Sequence, residues 1–114
     1  MKRNIKVSNN KILLNGDLLK SFDFEIKEFV EFENVILVCL NYFDVPFNEN
    51  IFALDYNGRI IWQISKYTPI EGTKSSFVGL NKESENSCWA VNWDGTSLLL
   101  DVNTGNILKD KWVR

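Results

Sequence analysis

Ile51-Phe52-Ala53-Leu54-Asp55-Tyr56-Asn57-Gly58-Arg59-Ile60-Ile61-Trp62-Gln63-Ile64-Ser65 is two apolar, β-branched and aromatic runs on either side of Asn57-Gly58. Asparagine and glycine tolerate the positive φ that a two-residue type I′ turn demands, so the stretch predicts a hairpin of residues 51–56 and 59–65. The same pattern recurs outward from it. Asn15-Gly16 separates Lys11–Leu14 from Asp17–Leu19. Asp94-Gly95 links 87–92 to 96–102, and Asn103-Thr104-Gly105 leads into a last strand from Asn106. Val35–Leu40 is apolar on both faces and predicts a central strand. Phe22, Phe24 and Ile26 alternate with Asp23, Glu25 and Lys27, which predicts one half-buried strand; the parity shift after Lys27 predicts a bulge or a new strand.

Helical periodicity is weak throughout, Pro46 and Pro69 fall in expected loops, and no linker or abrupt change of composition divides the chain. The expected fold class is therefore all-β: a single domain over 1–114, a mainly antiparallel β-sandwich or open barrel built from hairpins, with little helix. The 114 residues are 45% hydrophobic and 13% aromatic, enough for a packed core.

The sequence holds no histidine. That removes the commonest general base, the usual activator of serine and cysteine nucleophiles and the commonest metal ligand. Fifteen carboxylates could supply a glycosidase pair, but abundance alone argues nothing. Asp55 and Asp101, each just before a turn glycine, are expected to accept turn amides rather than react. Asn48-Glu49-Asn50 and Asn92-Trp93-Asp94-Gly95 are too short for a calcium loop. The chain reads as a non-enzyme, with no catalytic, cofactor-binding or metal-binding residues.

Cys39 and Cys88 lie in apolar, strand-like stretches without a CxxC spacing, which suits buried, reduced thiols of a cytoplasmic protein, a disulfide being the minor alternative. The basic start Met1–Lys6 has no apolar stretch behind it, and six apolar residues at 35–40 fall short of the roughly 20 that span a bilayer.

Net charge is −2 but unevenly distributed. Residues 1–22 carry Lys2, Arg3, Lys6, Lys11 and Lys20 against Asp17. Residues 23–49 carry Asp23, Glu25, Glu28, Glu31, Glu33, Asp44 and Glu49 against Lys27. Such an acidic segment opposes binding to a phosphate backbone and is either a solvated face or the surface that meets a basic protein. Tyr42, Phe43 and Phe47, in the expected loop 41–50, either form a contact surface or fold back over the end of the β-structure. Trp62 and Trp89 read as core, whereas Trp93 sits in a turn, and the four tryptophans have no matching basic groove for nucleic acid.

Leu54-Asp55-Tyr56-Asn57-Gly58-Arg59-Ile60 and Leu100-Asp101-Val102-Asn103-Thr104-Gly105-Asn106-Ile107 share a Leu-Asp, turn, Gly, Ile pattern about 46 residues apart, near the period of propeller blades. This resembles the strand–turn–strand repeat of quinoprotein-type and related β-propellers. A propeller needs roughly four or more blades of four strands, more than this chain can close, and no cofactor function is carried over. The hairpin Asn57-Gly58-Arg59-Ile60-Ile61-Trp62-Gln63, followed by Asn92-Trp93-Asp94-Gly95, Leu100-Asp101 and Thr104–Leu108, resembles small all-β bacterial proteins found beside contact-dependent and polymorphic toxins. The resemblance implies an immunity protein that neutralises a cognate toxin, a basic nuclease domain, by covering its active site. Asp23, Glu25, Glu28, Glu31, Glu33, Tyr42, Phe43, Asp44, Phe47, Glu49 and Trp93 are then the expected contact residues, with neither nucleic acid nor membrane as partner. The alternative is a non-catalytic β-structured binding or scaffold module for a peptide or sugar, associating through an exposed edge strand.

Overall fold

Alternation of apolar and polar residues writes eleven strands into the computed structural model, which describes residues 3–65 and 74–112, the side chain of Trp112 excepted. They form three antiparallel meanders. The first sheet is β1 (Ile5–Ser8), β2 (Lys11–Leu14) and β3 (Asp17–Ser21). The middle sheet is β4 (Ile26–Glu31), β5 (Ile36–Leu40), β6 (Ile51–Leu54) and β7 (Ile60–Gln63). The third is β8 (Phe77–Lys82), β9 (Ser87–Asn92), β10 (Thr96–Asp101) and β11 (Ile107–Trp112). Pro69 lies outside the described residues.

Successive side chains on a strand point to opposite faces, and the middle sheet is apolar on both. Ile26, Ile36, Val38, Leu40 and Leu54 pack with Ile12 and Phe22 against the first sheet. Leu37, Cys39, Ile51 and Ala53 pack with Phe77, Cys88, Ala90, Leu98 and Leu100 of the third. The all-β sandwich of the sequence therefore has three layers. Ile36 through Leu40 are at most 1% exposed, which is why 35–40 reads as apolar on both faces.

Local chemistry departs from the expected pattern at two places. Asn57-Gly58 does not form a two-residue turn: Asp55 N donates to Arg59 O, Gly58 N to Asp55 O, and only Gly58 has positive φ. This is a three-residue loop closed by a left-handed glycine. Asp55 imposes it, because Oδ1 accepts the Asn57 and Arg59 amides, each at 2.9 Å. Those backbone donors, that of Arg59 foremost, hold the Asp55 carboxyl below its ordinary range. The two-residue geometry occurs instead at Asn15-Gly16, with φ of 52° and 88°, where no aspartate precedes the turn. Secondly, 22–27 is not one strand. β3 ends at Ser21, Phe22 N bonds Asn10 O and Ile26 N bonds Asn9 O, so 22–25 crosses from the first sheet to the second before β4 begins. The parity shift after Lys27 is a bulge between Ile26 and Glu28.

The 46-residue repeat marks equivalent places. Asp101 Oδ1 accepts the Asn103 and Thr104 amides as Asp55 caps its own turn, and the two turns join strands three and four of their sheets. Each turn glycine presses on the last strand of the preceding sheet. Gly58 lies against the backbone of Leu19 in β3, and Gly105 lies against the Trp62 ring in β7. By this docking β3 corresponds to β7, so β1 corresponds to the second strand of a sheet, and among the described residues the first sheet has no counterpart of β4 and β8.

Candidate functional site

The register brings Ile26, Leu40, Ile51, Gln63, Phe77, Asn92 and Thr96 to one end of the layers. Two connections meet there, residues 41–50 and the turn Trp93–Gly95. Asn41 shapes the first: its carbonyl accepts the Asp44 and Val45 amides, its Oδ1 accepts Phe43 N at 3.0 Å, and its Nδ2 donates to Glu25 Oε1 at 2.7 Å. A buried polar seam ties the first connection to the second. Asn48 Oδ1 accepts Ser75 N at 2.7 Å, the Ser75 hydroxyl bonds Asn92 Oδ1, Asn92 Nδ2 donates to Ser75 O at 3.0 Å, and Trp93 N donates to Ser76 O at 3.1 Å.

The seam sets Tyr42 on Trp93, stacked with ring centroids 5.0 Å apart and planes 28° apart, and Phe43 stands edge-on to Tyr42 at 5.1 Å. Lys74 Nζ lies 4.7 Å above the Tyr42 ring and donates to Tyr42 O at 3.1 Å. Phe43 is 84% exposed and Trp93 62%, large aromatic surface that no element among the described residues covers. Rings on rigid supports lose little entropy on binding, which makes them efficient anchors.

The expected contact residues divide. Tyr42, Phe43 and Trp93 come together, with Asp23, Glu25, Asp44 and Glu49 on the same end of the layers. Phe47 folds inward instead, edge-on to Phe24 at 5.8 Å and packed on the first core. Glu31 and Glu33 lie at the opposite end, where Lys82 Nζ donates to the Glu31 carbonyl. Glu28 is half-buried between the second and third sheets and accepts the Leu80 amide, which alternation along the ladder turns away from β9 to the open edge of β8. The antiparallel strand puts consecutive acids at different ends and faces, so charge counted by segment does not become one patch. Lys74 and the Asn48–Ser75–Asn92 seam were not read from the sequence. Their only signal is that Asn and Ser cluster where strands begin and end.

Beside this end, Phe22, Phe24, Phe47 and Phe52 line an open groove of about 280 Å³ rimmed by Lys20 and Asp23. Among the described residues no three His, Cys, Asp or Glu side chains stand close enough to share a metal, and no helix is long and apolar enough to cross a membrane. Cys39 and Cys88 are free, fully buried thiols, and burial pushes both up to about 12. Since the thiolate is the reactive form, alkylating reagent at pH 8 should label neither in the native protein and both after unfolding in urea. Native labelling as fast as that of a free thiol would contradict the burial.

Solved structures with this fold are β-propellers and designed proteins. BamB from Moraxella catarrhalis superposes with a TM-score of 0.70 at 17% identity, over 98% of this chain and 34% of BamB. The computationally designed Ika4 protein gives 0.66 at 20% identity, over 97% of this chain and 68% of its own. The WD40 β-propeller domain of Doa1 gives 0.55 at 19%, over 90% and 33%. The chain thus spans about a third of the length of two of them, and at such identities the likeness establishes the architecture alone: the three sheets are propeller-like blades. No curated protein matches the sequence. A family model described as a domain of unknown function matches residues 2–112.

Proposed function

The chain belongs to the DUF7957 family, and we propose that this member is a non-catalytic immunity protein that binds a basic bacterial toxin, a nuclease domain, and covers its active site. The observation that carries the reading is the exposed Tyr42–Phe43–Trp93 cluster on the end of the stack that also holds Asp23, Glu25 and Asp44. Rings in such an arrangement bury apolar area at the centre of an interface, and carboxylates around them select a partner whose lysines and arginines otherwise hold nucleic-acid phosphates. Inhibition by covering needs no reactive group, which suits a chain without histidine. The protein would act in the cytoplasm, where the toxin meets its target.

The test is to express the product of the gene immediately upstream in a bacterium, with and without this chain, and to score survival and co-purification. In the purified pair, Phe43→Ala with Trp93→Ala, or Asp23→Lys with Asp44→Lys, is expected to weaken affinity by about tenfold or more. Reversal of Glu31 and Glu33, at the far end, should leave it unchanged. A harmless neighbour, or an affinity indifferent to the aromatic and acidic changes, would refute the reading. A sugar- or peptide-binding module is the second reading, favoured by the stacked Tyr42–Trp93 platform beside Lys74. Its binding would survive the loss of Asp23 and Asp44 and depend little on salt.

A further inference from the structure

Among the described residues the first blade has three strands where each of the other two has four. Gly58 docks on β3 as Gly105 docks on β7, so the first blade is aligned with the others from its outer strand inward, and β1 occupies the second place. In the third blade, the inner strand β8 covers the edge of β9 and lies against β4 and β5 of the middle blade. Nothing among the described residues does the same for β1.

Three features mark the gap. Asn15 N donates to Asn4 O, and bonded pairs alternate along an antiparallel ladder, so Lys6 and Ser8 bond β2 while Ile5 and Val7 turn their N–H and C=O groups to the open edge. Ile5 and Val7 face the middle blade yet are only half-buried, whereas Cys88 and Ala90, which face that blade from the second strand of the third blade, are fully buried. Phe29, on the side of β4 where a fourth strand would pack, is half-buried too.

We infer that β1 accepts an extended segment of a partner protein as the missing strand, and that this segment alternates apolar and acidic residues. Strand addition satisfies the Ile5 and Val7 backbone groups. Side chains opposite Ile5 and Val7 fall on the core face, over Phe29, and must be apolar. Those between them emerge on the outer face beside Lys6, with Lys11 of β2 on the same face, and are favoured when acidic. The same lysines oppose a second copy: antiparallel pairing of β1 with β1 through the outward groups of Ile5 and Val7 would set Lys6 against Lys6.

The probe is the acetylated, amidated peptide Ser-Val-Glu-Val-Glu-Val-Ser, added to the full chain while amide hydrogen exchange and binding are followed. In the free protein, the Ile5 and Val7 amides should exchange rapidly; saturation with peptide should slow both. Val7→Pro removes an outward N–H without touching the ladder to β2, a position where an edge strand tolerates proline. It should weaken the peptide roughly ten- to a hundredfold. Should that variant not fold, Lys6→Glu serves instead, reversing the preference between this peptide and its lysine analogue. The inference is overturned if the peptide does not bind, if Val7→Pro binds it as tightly, or if both amides are already protected in the free protein, whether by its own chain or by a second copy.

Discussion

Asn50→Leu should cost about 4 kcal/mol, since two or three buried backbone groups would lose partners at about 1–3 kcal/mol each. Asn50 is fully buried between the middle and third blades and acts as a piece of backbone joining them. Its Oδ1 accepts Phe77 N, and its Nδ2 donates to both Phe77 O and Leu40 O, all at 2.8 Å. Leucine fills the volume but returns none of these bonds. A loss of that order is a large part of the roughly 5–15 kcal/mol that holds a domain folded, and it appears as a lower urea midpoint. Asn50→Asp discriminates further. It loses both donors and buries a carboxylate facing two carbonyls, so its folded pKa rises above the unfolded value of about 3.9. The variant should therefore gain stability relative to the parent as pH falls through that raised pKa. A variant equally impaired at all pH would show that packing, not hydrogen bonding, is the role of Asn50.

The sequence showed strands and their turns because those depend on neighbours in the chain. Val35–Leu40 could be placed at the centre from its own two apolar faces, and the shift at Lys27 announced the bulge now seen between Ile26 and Glu28. Asn57-Gly58 misled because Asp55, two residues earlier, competes for the turn amides; the dipeptide alone carries no record of that competition. The candidate site was legible as parts. Tyr42 and Phe43 stood out as loop aromatics and Trp93 as a turn tryptophan, but their contact joins residues some fifty apart through Asn48, Ser75 and Asn92. Glu28 and Phe47 show the converse. Each has the composition of a contact residue, and each is consumed within the fold, by Leu80 N and by Phe24 respectively.

The repeat itself can be tested at its glycines. Gly16, Gly58 and Gly105 have nearly the same φ, +88°, +86° and +81°, so a side chain at any of them meets a similar backbone penalty, about 1–2 kcal/mol. Their surroundings differ. A Cβ at Gly16 would have nothing within 4 Å, whereas at Gly58 it would stand 2.3 Å from the Leu19 carbonyl oxygen. Backbone cannot swing aside as a side-chain tip can, so β3 and the β6–β7 turn must separate, opening the first core where Leu19 packs. Gly16→Ala should then cost about 1 kcal/mol and Gly58→Ala about 3 kcal/mol or more, the excess measuring the contact between blades. Gly105→Ala meets the Trp62 ring at 2.7 Å, and displacing that ring breaks the 2.9 Å bond from Trp62 Nε1 to Val102 O. Its signature is a shifted indole N–H resonance of Trp62 alongside the stability loss. Equal losses at Gly16 and Gly58 would mean that the turns impose only their own conformation, and that the 46-residue pattern repeats a hairpin rather than a way of stacking one blade on the last.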